Sequence, residues 1–208
     1  TVISLATAQR LHREMVPRPF LSACIEHCLE EGKDLSRGGA QYNVGPVITG
    51  IGLAVAANSL AAVKKLVFED RACGMATLVD ALRANWQGYE PLRRLAADAP
   101  KYGNDDDYVD AIARKVANHF YHEVHRYRDI FGNPFTSAFM GISNYIPMGR
   151  VLGATPDGRK NGEPSSEGVS PYVGTDRSTP LAAMRSAAKL NQEMHAGGTL
   201  LNLRLNPE

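Results

Sequence analysis

The chain has 208 residues, 44% hydrophobic and 22% charged, with a net charge of +1. Such a balance gives no bulk electrostatic reason to bind nucleic acid or an anionic membrane surface. The most apolar run, near 51–63, is interrupted by Asn58 and Ser59 and followed by Lys64-Lys65, which is too short and too polar to span a bilayer.

The chain opens on Thr1-Val2-Ile3 and ends on Leu205-Asn206-Pro207-Glu208, and is read as an internal piece of a longer protein. Pro19 to Gly32 reads as a helix, with Pro in the first turn, apolar Leu21, Cys24, Ile25 and Cys28, and a terminal glycine. Cys24 and Cys28 then share one face; with Cys73 they make no even framework, and all three are read as buried free thiols in a reducing compartment. Gly38 to Asn43 reads as a short strand or tight loop, and 44–52 as an irregular connection.

Leu53 to Phe68 is the clearest helix, with Leu53, Ala56, Leu60, Val63 and Val67 as its stripe. Shorter helices follow at Thr77–Ala84 and Tyr89–Ala97. A long amphipathic helix then runs to Arg128 on Val109, Ile112, Ala113, Val116, Phe120 and Val124, with Asn104 or Asp105 as its cap. Phe135–Tyr145 reads as a strand closed by Pro147 and Gly149, Leu181–Leu190 as a helix, and Gly198–Leu205 as a strand. The class is α/β, helix-heavy, with no internal repeat.

Several clusters invite chemistry. Successive carboxylates on a helix start diverge by about 100° each, so Asp105-Asp106-Asp107 is read as a helix cap rather than a cation site. His119, His122 and His125 lack the Glu of the metalloprotease motif and read as a solvated face. Gly50-Ile51-Gly52 lacks the third glycine of a dinucleotide loop, so close backbone packing explains it better. The segment Gly153-Ala154-Thr155-Pro156-Asp157-Gly158-Arg159-Lys160 is too rich in Pro and Gly for a helix and sets a rigid turn. Asp157 and Arg159 are read there as an internal ion pair that pins the loop, in preference to a grip on an anionic substrate.

Three segments together resemble the glycyl radical enzymes, the family of pyruvate formate-lyase, glycerol dehydratase and choline trimethylamine-lyase. They are Gly38–Asn43 with Gly52–Ala54 and Asn58–Phe68; Pro100–Val109; and Gly153–Lys160, continued by Gly162-Glu163-Pro164, Val169-Ser170-Pro171 and Ala188-Lys189-Leu190. They span almost the whole chain. Gly-Glu-Pro and Val-Ser-Pro resemble the dehydratase and lyase branch, whereas Ser143-Asn144 resembles pyruvate formate-lyase itself.

The resemblance implies an α/β fold, part of a ten-stranded barrel of two half-barrels, with residues 1–208 as one partial domain of the second half and the C-terminal glycine radical domain absent. It implies a lyase or dehydratase that cleaves a C–O, C–N, C–S or C–C bond of a small-molecule substrate through a thiyl radical. Formate acetyltransferase and a non-catalytic paralogue are the alternatives. The implied cofactor is a glycyl radical, installed by a radical S-adenosylmethionine activating enzyme on a glycine outside this chain. A homodimer and a cytoplasmic, anaerobic bacterial or archaeal setting, with or without a microcompartment, also follow from the resemblance. So does the expectation of no metal, nucleic acid or membrane.

The family's Gly-Cys-Val-Glu and Arg-Val-x-Gly-Tyr motifs do not occur in this sequence. The resemblance therefore assigns no catalytic residue here and implies that the isolated fragment is inactive. It does assign a substrate wall, Thr136 and Met140, on the strand facing the pocket. Neither is cationic or aromatic, which disfavours a sulfonate and leaves small polyols, amines, amino acids and apolar substrates.

Overall fold

A computed structural model describes residues 1–43, 45–141 and 143–203. The chain divides into two units: residues 1–48 with 121–137, and 49–120 with 138 onward.

In the first unit, α1 (Val2–Met15) and α2 (Pro19–Ala23) precede a loop organised by one carboxylate. Asp34 accepts the Arg18 backbone N–H at 2.8 Å and the Ser22 hydroxyl at 2.9 Å. Its other oxygen takes the Ser36 N–H and hydroxyl at 2.8 and 2.6 Å. These bonds, led by that from the Ser36 hydroxyl, lower the Asp34 pKa to about 2. The helix expected over 19–32 therefore stops at Ala23, and the chain turns back through left-handed His27 to bring Asp34 beside Ser22. Cys24 is accordingly exposed and only Cys28 fully buried, so the shared-face reading of the two thiols fails with the helix. Close approach explains Gly39 and Gly45, where a Cβ would lie 2.0 Å from the carbonyl oxygens of Lys33 and Pro134.

In the second unit, α3 (Leu53–Val63) continues as a π-helical turn over Lys64–Glu69. It buries Leu53, Ala54, Ala57 and Ala61 rather than the expected Ala56 and Leu60 stripe. The alanine face lets α6 (Asp107–His125) approach with Val109, Ala113 and Ala117, and Ala187 and Leu190 complete the core with Tyr102, Phe139 and Val169. A second cluster gathers Leu66 from α3's extension, Leu78 and Ala81 from α4 (Met75–Arg83), Trp86 from the turn that follows, and Ala96 from α5 (Glu90–Asp98).

Glycines 50 and 52 serve packing, as read: a Cβ on Gly50 would fall 2.6 Å from the Phe139 ring and one on Gly52 2.8 Å from the Ser165 hydroxyl. The start of α3 is capped from afar, because the buried Ser166 hydroxyl accepts the Ala54 and Val55 N–H groups at 3.1 and 3.3 Å.

Strand structure is sparse among the described residues. β1 (Val47–Thr49) pairs with β2 (Thr136–Ala138). Their bonds, Thr136 N–H to Pro46 O and Gly50 N–H to Ala138 O, advance the same way along both, the parallel pattern of a barrel wall. The expected strand 135–145 shrinks to β2 plus one parallel bridge between Phe139 and Thr199. Pro147 and Gly149, read as strand terminators, lie inside α7 (Tyr145–Val151). Pro147 is the third helical residue, where the missing N–H would have had no intrahelical partner, and Gly149 admits the backbone of 163–165 within 2.6 Å of a Cβ position. The strand expected at 198–205 is likewise reduced to that bridge, with residues 204 and 205 outside the described ones. The helix after Thr179 is present as α8 (Pro180–Ala188), which that threonine caps through its side chain.

Candidate functional site

The loop Gly153–Lys160 is irregular, as its composition demands, and Arg159 lies at its centre with 2% of its surface exposed. The guanidinium does not pair with Asp157 as expected. One terminal nitrogen donates to the carbonyls of Lys160 and Glu163, and the other to those of Leu152 and Gly153, at 2.5–3.0 Å. A planar five-donor group can gather carbonyls from both ends of a turn, and a carboxylate in that space would leave them without donors.

Asp157 instead accepts the Thr155 hydroxyl at 2.6 Å and the Arg159 N–H at 3.4 Å, and burial raises its pKa. The loop is held from outside as well: the Trp86 indole N–H donates to Arg159 O at 3.2 Å and Arg93 Nε to Gly158 O at 2.9 Å. Lys101 is buried nearby, its ammonium donating to the carbonyls of Ala96 and Ala99 at 2.7 and 2.9 Å, and desolvation lowers its pKa to about 8.

The acidic run does cap the helix, though through Asp106 rather than Asn104 or Asp105. Asp106 caps α6, accepting the Tyr108 N–H at 2.9 Å, whereas Asp105 sits at φ 59° ahead of the helix. Leaving the helical progression frees Asp105 to converge with Asp107 and Asp110, an i, i+3 pair, on Lys189 Nζ at 2.7, 2.7 and 2.9 Å. Three carboxylates do meet one cation here, and the cation is a lysine. Asp110 has 1% of its surface exposed and its pKa is raised by burial, while the attached lysine's is raised by its acidic partners against burial. Beside this cluster Asn104 uses both ends of its amide, donating to Lys101 O and Thr175 O and accepting from the Arg177 and Ser178 N–H groups. No group of three or more His, Cys, Asp or Glu able to hold a metal occurs among the described residues, and His119 and His122 are exposed.

The proposed wall residues differ from all of these. Alternation along the strand turns Phe135, Ser137 and Phe139 into buried positions, with Phe139 against Phe120 and His195 at ring-centroid distances of 5.3 and 4.9 Å. Within β2, Thr136 is half-buried and Ala138 is buried like Ser137. Thr136 belongs to the first unit; its hydroxyl is buried and has no hydrogen-bond partner among the described residues. Met140 belongs to the second; it is 42% exposed and lies over Gly198, where a Cβ would come within 2.7 Å of its sulfur. Sequence reasoning missed Asp110, Lys101 and Ser166, single polar residues in apolar or loop contexts whose partners lie far along the chain.

A family model described as pyruvate formate lyase-like matches residues 1–149, and one described as glycine radical matches 165–208. Among curated proteins, trans-4-hydroxy-L-proline dehydratase of Clostridioides difficile is 39% identical over 97% of this chain and 26% of its own length. The glycerol-bound B12-independent glycerol dehydratase of Clostridium butyricum superposes with a TM-score of 0.92 at 39% identity, over 94% of this chain and 25% of that one. A glycyl radical enzyme from Archaeoglobus fulgidus gives 0.89 at 38%, over 95% and 25%. The chain thus spans about a quarter of the length of the relatives it matches. The barrel-type fold inferred from the motifs is that of these structures, represented here by a helix-rich part with few strands. By fold, by sequence and by the family model over residues 1–149, this chain belongs to the pyruvate formate lyase-like glycyl radical enzymes.

Proposed function

We propose that the chain is one part of the barrel of a glycyl radical lyase or dehydratase that cleaves a C–O, C–N, C–S or C–C bond of a small substrate. The observation that carries this is the 0.92 superposition on a glycerol-bound dehydratase at 39% identity. Relatives named as dehydratases, including that for trans-4-hydroxy-L-proline, support the lyase branch over formate acetyltransferase.

Thr136, in the first unit, and Met140, in the second, are each proposed as substrate-wall residues in their own unit. The unpartnered Thr136 hydroxyl supports this, since a polar atom buried without a partner costs about 1–3 kcal/mol unless something bonds to it. Met140 adds an exposed, adaptable apolar surface. Asp157 and Arg159 brace the fold and touch no substrate. Small polyols, amines and amino acids fit a wall of this kind, and binding energy there would orient the scissile bond.

The radical itself does not fit the residues present. The sequence lacks both family motifs, and Cys24 is exposed on a turn. No radical step is therefore assigned to this chain. We place the radical glycine and the thiyl cysteine elsewhere in the parent protein. Residues from 165 onward are assigned to the approach to the glycine radical domain, in place of the single partial barrel domain. The match of that model over 165–208 supports this division. A radical S-adenosylmethionine activating enzyme, a homodimer and a cytoplasmic setting belong to the same proposal. No helix among the described residues is long and apolar enough to cross a membrane.

Anaerobic activation of the parent protein, followed by electron paramagnetic resonance, tests the radical assignment: a glycyl doublet is expected, and its absence with a competent activator overturns it. For the wall, Thr136→Val and Met140→Ala should raise KM of the activated parent about tenfold at unchanged radical yield. Unaltered kinetics in both would remove the two residues from the site.

A further inference from the structure

The first unit contains a cleft of about 320 Å³ whose lining includes Gln9, His12, Arg18, Tyr42, Asn43 and Phe131, and not Thr136. That volume lies at the lower end of small-molecule sites. Two independent features describe what it would hold.

The first is at Gln9. Its amide nitrogen donates to Asp129 Oδ2 at 3.3 Å. A carboxylate only accepts, so this bond fixes which end of the Gln9 amide is the oxygen. That oxygen is buried and has no donor among the described residues. Asn43 does not supply one, since its amide nitrogen donates to Ala40 O at 2.9 Å. The Ser36 hydroxyl is likewise turned to Asp34.

The second is charge. Arg18 and His12 are exposed on the lining, and Arg18 is in no ion pair among the described residues. No carboxylate lines the cleft. The nearest ones already accept several hydrogen bonds: Asp34 from Arg18, Ser22 and Ser36, and Asp129 from Phe131, Asn133 and Gln9. Tyr42, 80% exposed, and Phe131 add flat apolar surface.

The geometry points to a binding site for a small anion that carries a hydroxyl: the hydroxyl donates to Gln9 Oε1, and the anionic end meets Arg18 and His12. The site is separate from the substrate wall and does not rest on the family's reaction.

Titration calorimetry of the full chain with glycerol 3-phosphate, and separately with glycerol and with inorganic phosphate, tests it. Glycerol 3-phosphate should bind at least about tenfold more tightly than either of its parts. Arg18→Met should weaken glycerol 3-phosphate and phosphate alike by about tenfold, and Arg18→Lys should restore much of that. Gln9→Leu should weaken glycerol 3-phosphate about fivefold and leave phosphate unchanged. Tyr42→Ala, at an exposed position that does not threaten folding, should weaken saturation transfer from aromatic protons to the ligand, leaving only the share from Phe131 and His12. The proposal is overturned by no binding at 10 mM (about the weakest affinity of interest), by equal affinity in wild type and Arg18→Met, or by transfer of unchanged strength in Tyr42→Ala.

Discussion

The loop around Arg159 and the positions proposed for substrate, Thr136 and Met140, make opposite use of polarity. In the loop, a buried guanidinium spends both terminal nitrogens on four backbone carbonyls, and Trp86 and Arg93 return bonds to the loop's own carbonyls. On the strand, a buried hydroxyl has no partner among the described residues and a methionine stands half exposed. The guanidinium's own Nε is also buried without a partner among the described residues, so the contrast lies in the bonds made: many tie the loop together, whereas none engages the Thr136 hydroxyl. On the proposed reading the family signature is scaffold and the Thr136 position belongs to the site.

The largest expected effect comes from breaking the loop. Arg159→Met leaves four carbonyls without a donor and should cost about 3–5 kcal/mol in urea unfolding of the chain. Arg159→Lys should recover only part, because an ammonium cannot span both ends of the turn.

Next comes the acidic cluster. Lys189→Met leaves Asp105, Asp107 and Asp110 facing one another and should cost about 2–3 kcal/mol, read from the shift in thermal midpoint. A loss below about 0.5 kcal/mol would make the cluster a surface ornament of the ordinary exposed kind.

Lys101 supplies a pH test. Its folded pKa of about 8 lies below the ordinary value of 10.5, so the folded state gives up its proton first. The penalty for burying its charge is present in full below pH 8 and is relieved as pH rises from 8 to 10.5. Over that window wild type should gain on Lys101→Met by at most about 3 kcal/mol. A difference flat in pH, or one that falls, would contradict the burial of a charged amine.

The smallest stability effects belong to the strand. Thr136→Val removes an unpartnered hydroxyl at constant shape and should be neutral to about 1 kcal/mol stabilising, and Met140→Ala should cost no more than about 1 kcal/mol by chemical denaturation.

Much of the helical frame was legible because its signals are local. The period along Val109–Phe120, the helical run after Pro180 and the alanine-rich run at 53–63 each lie within a few turns of chain. α1 went unread because it buries no residue, so no apolar stripe marks it. Helix α2 was overextended because its end is dictated by Asp34, beyond the helix itself. On the acidic run, the left-handed backbone of Asp105 defeated an argument that assumed helical spacing throughout. At the candidate site, the composition of 153–160 marked the loop correctly, whereas the strand read over 135–145 is present only as Thr136–Ala138 with a bridge at Phe139. Asp157 and Arg159 were paired wrongly because a carbonyl cage leaves no trace in side-chain types.

The most direct test of the division between scaffold and site is one urea-unfolding comparison of Arg159→Met and Thr136→Val in the full chain. The account expects midpoints that separate widely, with Arg159→Met far below wild type and Thr136→Val at or above it. Equal losses in both, or a greater loss in Thr136→Val, would show that the strand hydroxyl is structural and would contradict the assignment of the candidate site.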